Sequence, residues 1–247
     1  MIPYFAVGAA SVAKRLLAGR SALVSFAYIG SRWLPETQLT ELRGVVSRLF
    51  LDSGAFTAWR QGKPVDLGAY VDHVLASGGR YDVVAALDAI GDWRASQANY
   101  QAMTKRIRRP LMTVWHEGEP IELLDDYVAD ADVVGIGRIE GRRSKDKTLA
   151  CYDEVFNRHP DHLFHAFGNG DATTLEPYPF SSFDATSWER NAVYGNAQGW
   201  PWNRVSKETR MRAYIEATET IEYRPAKQLQ LWMRKPKSLE VVGKVGK

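Results

Sequence analysis

Two acidic residues stand where apolar runs stop. Asp52 closes Leu49-Phe50-Leu51 and is followed by Ser53-Gly54, which is turn chemistry; Asp184 closes Phe180-Ser181-Ser182-Phe183 and is followed by Ala185-Thr186-Ser187-Trp188. Such a run reads as the end of a buried parallel strand. Each carboxylate is therefore expected where the chain leaves the core, aimed at whatever lies above the sheet. Two carboxylates across one pocket suit displacement at a sugar anomeric carbon. One can trap the oxocarbenium-like centre as nucleophile, while the other moves protons on and off the leaving and incoming groups. The expected substrate is a nucleotide.

Other polar residues recur at the same kind of position. Asp88 follows Val83–Leu87, His116-Glu117-Gly118 follow Leu111–Trp115, Gly135-Ile136-Gly137-Arg138 surround the end of Val133–Ile136, and Gly168-Asn169-Gly170 follow Leu163–Phe167. Asp88 can accept the paired N–H donors of a guanine-like edge, or it can cap the helix that starts near Trp93. His116 is either part of a pocket or a hydrogen-bonded histidine at a strand end. Gly135, Gly137 and Gly168 let backbone groups approach a flat ligand closely. Phe56, Trp59, Trp188, Trp200 and Trp202 either stack against a substrate or pack the rim. No metal is expected: Cys151 is the sole cysteine, and His116, His162 and His165 do not form a ligand set with spaced acids. No cofactor is expected either.

The elements that must position these residues alternate. Strand candidates are Tyr4–Val7, Ala22–Ile29, Leu49–Leu51, Val83–Leu87, Leu111–Trp115, Val133–Ile136, Leu163–Phe167 and Ser182–Phe183. Apolar residues at helical spacing mark Ser11–Leu17, Glu36–Val46, Leu67–Ala76, Trp93–Ile107, Ile121–Ala129, Lys145–Asn157, Ala172–Leu175 and Lys207–Tyr223. Asp66 and Ser144 are placed to cap helices, and Gly78-Gly79 to stop one. About eight strand–helix units predict an α/β protein, a single-domain (β/α)8 barrel over residues 1–223, with an open doubly wound sheet as competitor. No G-x-G-x-x-G follows the first strand, which counts against the dinucleotide-binding form of that competitor. Leu229–Met233 fits a last strand or part of a tail.

With 247 residues, 45% apolar and 25% charged, the composition is that of a globular domain. No apolar run reaches the roughly 18 residues of a membrane span, and Met1-Ile2-Pro3-Tyr4 does not begin a signal peptide, so a cytoplasmic location is the expectation. Residues 224–247 carry seven Lys and Arg against Glu240 alone, a net of +6; with +3 for the chain, the rest is near −3. A basic tail on a mildly acidic body fits a polyanion contact or a solvated terminus. Arg138, Arg142 and Arg143 are candidates to hold phosphates. Lys105-Arg106-Ile107-Arg108-Arg109 falls before a strand, at the wrong end, and reads as surface charge.

These blocks, in order, resemble the tRNA-guanine transglycosylases. Leu51-Asp52-Ser53-Gly54-Ala55-Phe56 resembles the family's DSGG block, and Ala86-Leu87-Asp88 its base-recognising acid. Val114 to Gly118 is similar to its VQGG strand end, Gly135-Ile136-Gly137 to its glycine loop, and His165 to Gly168 to a further strand. Ser182-Phe183-Asp184 resembles the nucleophile block, and Arg190-Asn191 with Gly195-Asn196 loosely echoes a later one. The resemblance implies that Asp184 attacks C1′ and that Asp52, with Ser53 and Gly54 in its turn, is the general acid/base. It implies that Asp88, His116, Glu117, Gly135, Gly137 and Gly168 hold the base.

Family members that act on tRNA carry a multi-cysteine zinc site and are longer; this chain has one cysteine. It looks like the phage and bacterial branch that places preQ0-like 7-deazaguanines into DNA, so DNA is the expected partner and tRNA the alternative. A DNA target nucleotide must be flipped out of the stack. A base N-glycosidase using water, and a non-catalytic nucleic-acid-binding barrel, are the competing readings.

Overall fold

The structure, a computed structural model, describes residues 1–8, 14–137, 144–185 and 206–224. Eight strands run through it: β1 (Ile2–Ala6), β2 (Ser21–Ser25), β3 (Arg48–Asp52), β4 (Val83–Val84), β5 (Thr113–His116), β6 (Val133–Gly137), β7 (Leu163–Ala166) and β8 (Ser182–Ala185). Their order in the sheet is β4-β3-β2-β1-β8-β7-β6-β5, with every ladder parallel. A bridge between Ala85 and Met112 joins the two ends. There the Ala86 N–H donates to the Met112 carbonyl at 2.8 Å and the Met112 N–H to the Val84 carbonyl at 2.9 Å. The sheet thus closes into the expected (β/α)8 barrel rather than staying open.

Laterally paired residues of parallel strands point to one side. Tyr4 pairs with both Ser21 and Asp184, Leu23 with Phe50, Ser25 with Asp52, and Gly135 with both Val114 and His165. Tyr4, Leu23, Phe50, Ala85 and Met112 form a small apolar cluster, which is the barrel interior. The alternate residues, among them Phe5, Val24, Leu51, Ile136 and Phe183, are buried in the larger cluster between barrel and helices. Burial on both faces is why these strands read as nearly continuous apolar runs.

The helices are α1 (Glu36–Arg43), α2 (Ala55–Arg60), α3 (Leu67–Ala76), α4 (Trp93–Arg106), α5 (Ile121–Asp130), α6 (Lys145–Arg158), α7 (Ala172–Leu175) and α8 (Lys207–Glu219). Asp66 caps α3 by accepting the Ala69 N–H at 2.7 Å, and Ser144 caps α6 through the Lys147 N–H at 3.3 Å. Gly78 and Gly79, both at positive φ, follow the end of α3. Met211 and Ile215 bury one face of α8, which packs on β1.

Several boundaries differ from the sequence reading. The strand expected over Ala22–Ile29 stops at Ser25 and gives way to a 3-10 turn, Phe26–Tyr28. Ser25 is level with Asp52, where β3 ends, so Phe26 has no ladder to continue. The strand expected over Val83–Leu87 keeps Val83–Val84 and the Ala85 bridge. The final helix ends at Glu219, short of Tyr223. Helix α2 was not foreseen: it is six residues long and has no side-chain N-cap, since it springs from Gly54 in the left-handed region. Residues 11–13 of the first expected helix, Leu229–Met233 and the rest of the basic tail beyond Arg224 lie outside the described residues. Among those described, no helix is long and apolar enough to cross a membrane.

Candidate active site

Asp52 is the last residue of β3, two positions beyond the interior residue Phe50, and so faces into the barrel at the C-terminal ends of the strands. Asp184 reaches the same interior from β8 through its pairing with Tyr4. Active sites of such barrels are built at this end. The chain turns sharply after Asp52. Gly54, at φ +78°, sends its N–H back to Asp52 Oδ2 at 3.1 Å. A Cβ on Gly54 would lie 2.7 Å from the Ala27 backbone nitrogen, so this turn excludes other residues.

The two acids occupy different surroundings. Burial pushes the Asp52 carboxyl up to about 7, and the negative charges of Asp88 and then Asp184 push the same way. The Gly54 N–H and the nearby Ser25 hydroxyl pull it down, with less effect. Ser25 Oγ is buried and completes no hydrogen bond, so its pull is the weaker support. Asp52 as a whole residue is half-buried. Asp184 is buried, and its Oδ1 accepts the Gly168 N–H at 2.5 Å. His165 Nε2 stands 3.5 Å from the same oxygen. His165 is completely buried, with Nδ1 2.9 Å from Ser182 Oγ and its ring edge-on to Tyr4, Phe50 and Phe167.

A second polar group adjoins Asp52. Asp88 Oδ1 accepts the Ser53 hydroxyl at 3.0 Å, and Asp88 Oδ2 lies 3.4 Å from His116 Nε2. On the far side of the ring, His116 Nδ1 is 3.4 Å from Glu119 Oε1, while Glu119 Oε2 accepts the His116 backbone N–H at 2.8 Å. Burial lowers the affinity of this imidazole for a proton. Hydrogen bonding and charge from Asp88 and Glu119 outweigh that and raise its pKa to about 9. The result is an imidazolium held between two carboxylates.

The structure thus brings Asp52, Asp184, Ser53, Gly54, Asp88, His116 and Gly168 to one end of the barrel. It decides the alternative left open for Asp88. Asp92 caps α4 by accepting the Ala95 N–H at 3.1 Å, so Asp88 is not that helix's cap. It corrects the use assigned to two glycines. A Cβ on Gly135 would meet the Phe167 ring at 2.3 Å and one on Gly137 the His116 ring at 2.5 Å. The space these glycines leave is filled by protein rings, not offered to a flat ligand. Glu117 donates its backbone N–H to the Gly137 carbonyl at 3.3 Å and continues the strand end.

Two residues were missed. Glu119 completes the His116 pair; the signal was Gly118, whose φ of +95° turns the chain back so that the Glu119 N–H reaches the His116 carbonyl. His165 touches Asp184; its place in the alternation Phe164-His165-Ala166 put it inside the barrel.

A cleft of about 410 Å³ opens beside Glu119, lined by Gly91, Trp93, Gly118, Glu119 and Pro120. A second opening, about 310 Å³, lies before β6 and β7 at the opposite end, remote from the paired acids. Phe56 and Trp59 project from α2 at 43% and 45% exposure, so they do not pack the rim. Trp188, Trp200, Trp202, Arg138, Arg142, Arg143, Arg190-Asn191 and Gly195-Asn196 lie outside the described residues. Arg106 pairs with Asp72 at 2.8 Å, in keeping with a surface role. Among the described residues, no group of three or more His, Cys, Asp or Glu side chains is arranged to hold a metal.

This geometry defines a (β/α)8 barrel with an acid-lined mouth. No family model matches the chain, and no curated protein matches it. Among solved structures it is similar to the N-acetylneuraminate lyase of Mycoplasma synoviae, with TM-score 0.52 and 10% identity over 90% of this chain and 98% of that one. It is also similar to the carboxyl transferase domain of Rhizobium etli pyruvate carboxylase, with TM-score 0.54 and 11% identity over 89% of this chain and 48% of that one. At such identity the likeness bears on the fold alone.

Proposed function

We propose that the protein is a base-exchanging transglycosylase that replaces a guanine in DNA by a preQ0-like 7-deazaguanine. One observation carries the reading: two carboxyls on the inner face of one barrel, in surroundings that fit them for different tasks. Asp52, with a pKa of about 7, holds or releases a proton near neutrality, as a general acid/base must. Asp184, fixed by the Gly168 N–H, is oriented as a nucleophile. The blocks that resemble the transglycosylase family supply the substrate class, and the single cysteine, which leaves no multi-cysteine zinc site, favours DNA over tRNA.

In the first step an Asp184 oxygen forms a bond to C1′. The C1′–N9 bond breaks, its electron pair leaves with guanine, and Asp52 supplies the proton that the departing base takes. In the second step the incoming base gives its N9 proton to the Asp52 carboxylate. Its nitrogen attacks C1′ and the Asp184 ester bond breaks. Two inversions give net retention. Asp88, held by Ser53 and the His116–Glu119 pair, keeps lone pairs for donors on the base.

The test is incubation of duplex DNA with protein and preQ0, followed by mass spectrometry of the digested nucleosides. A 7-deazaguanine nucleoside is expected, together with a denaturation-resistant protein–DNA adduct. Asp184→Ala should lower exchange by at least about a thousandfold and abolish the adduct. Retained exchange in Asp184→Ala rejects the assignment; release of free guanine without added base replaces exchange by hydrolysis.

A further inference from the structure

Three aromatic rings on the catalytic face carry an arginine each. Arg32 lies over Trp33, 4.7 Å from the ring centroid, in the loop after β2. Arg60 lies 6.0 Å over Phe56 on α2, after β3, where the Phe56 and Trp59 rings are themselves 6.0 Å apart. Arg94 lies 4.2 Å over Trp93 at the start of α4, after β4. These three strands are neighbours in the barrel, and all three segments leave its C-terminal end, the end that holds Asp52.

Two features set this rim apart. Trp33 is 51% exposed, and Phe56 and Trp59 nearly as much, although large rings are ordinarily withdrawn from water. Trp93 is anchored on the core and forms a wall of the cleft beside Glu119. Several arginines elsewhere meet acids: Arg20 pairs with Glu219, Arg43 with Asp82, Arg80 with Glu36, Arg158 with Asp125 and Arg212 with Glu208. Among the described residues Arg32 and Arg94 pair with no carboxylate; each rests on a ring. A guanidinium on an aromatic face, with no acid to neutralise it, presents a stacking surface and a phosphate donor together. Exposed rings with such cations are how proteins hold unpaired strands, each base lying on a ring while the backbone meets the arginines.

We infer that the rim formed by Trp33, Phe56, Trp59 and Trp93 with Arg32 and Arg94 binds an unpaired stretch of DNA strand next to the flipped nucleotide. The choice of DNA rests on the function proposed above; the stacking and phosphate chemistry does not. Duplex bases are already stacked on one another and leave these rings uncovered.

The test is fluorescence anisotropy with a labelled 15-nucleotide oligothymidine, a blunt 15-base-pair duplex and a 15-nucleotide oligouridine, using the whole chain. The oligothymidine is expected to bind at least about tenfold more tightly than the duplex. Trp33→Ala and Trp59→Ala should each weaken it by about tenfold, with unchanged melting curves because both rings are exposed. Replacing Arg32 and Arg94 together by Gln should reduce the slope of log affinity against log salt by about 0.7 per arginine. Unchanged affinity in the tryptophan variants, or duplex binding as tight as single strand, overturns the inference. Tighter binding of oligouridine overturns its assignment to DNA. Asp184→Ala keeps the rim intact, so oligonucleotide binding by that variant, with exchange lost or never present, separates failure of the rim from failure of the reaction.

Discussion

Asp52 is where burial and chemistry meet. A carboxyl with a pKa of 3.8 in an open chain and about 7 in the folded protein keeps a proton that the unfolded chain has already lost. Stability associated with this group is therefore present at low pH and is lost as the pH rises from about 4 through 7. Asp52→Asn is neutral throughout and escapes that loss. The variant should match the wild type near pH 4 and exceed it at pH 8, by up to about 4 kcal/mol, in urea melts at the two pH values. No gain at pH 8 would mean that the carboxyl is not desolvated. His116 acts in the same sense at higher pH. Its imidazolium, held between Asp88 and Glu119, stabilises the fold below about 6.5, and that contribution fades as the pH passes through about 9.

Elements hold these residues through turns and through what the neighbouring strand leaves out. β6 places Gly137 beside His116, and the ring lies across the space a side chain would take. Gly137→Ala inserts a Cβ 2.5 Å from that ring, so either the imidazole swings away from Asp88 or β6 retreats. The expected cost is about 1–3 kcal/mol in stability. The imidazole resonances of His116 should move in an NMR titration, and its pKa should fall from about 9 toward 6.5. A variant with wild-type titration would show that the glycine is not what seats the ring. α2 has a similar dependence on Gly54, whose left-handed turn aims Asp52 inward while launching Phe56 and Trp59 outward.

The barrel as a whole is not closed evenly. β2 and β3 pair over five residues, from Ser21–Arg48 to Ser25–Asp52, whereas β4 meets β5 at the Ala85–Met112 bridge. That seam stands directly below Asp88 and His116, on the loops that form the cleft. Native-state hydrogen exchange should find the Ala86 and Met112 amides at least about tenfold faster than the hydrogen-bonded amides of the β2–β3 ladder. Equal protection would mean that the short ladder opens only with the whole molecule.

The order of apolar runs, helical stripes and turn residues was enough to determine the (β/α)8 class, because each strand of a doubly covered sheet must be apolar on both faces. It also determined that Asp52 and Asp184 fall at the C-terminal ends of strands, Asp52 as the last residue of β3 and Asp184 as the next to last of β8. Only the tertiary structure decided what these residues meet. The partner of His116 on one side is 28 positions earlier in the chain, and the ring that fills the space beside Gly135 is that of Phe167, one residue past the neighbouring strand β7. Pairings of that kind depend on lateral register between strands, and register is set by how helices and barrel pack together, which no local pattern records.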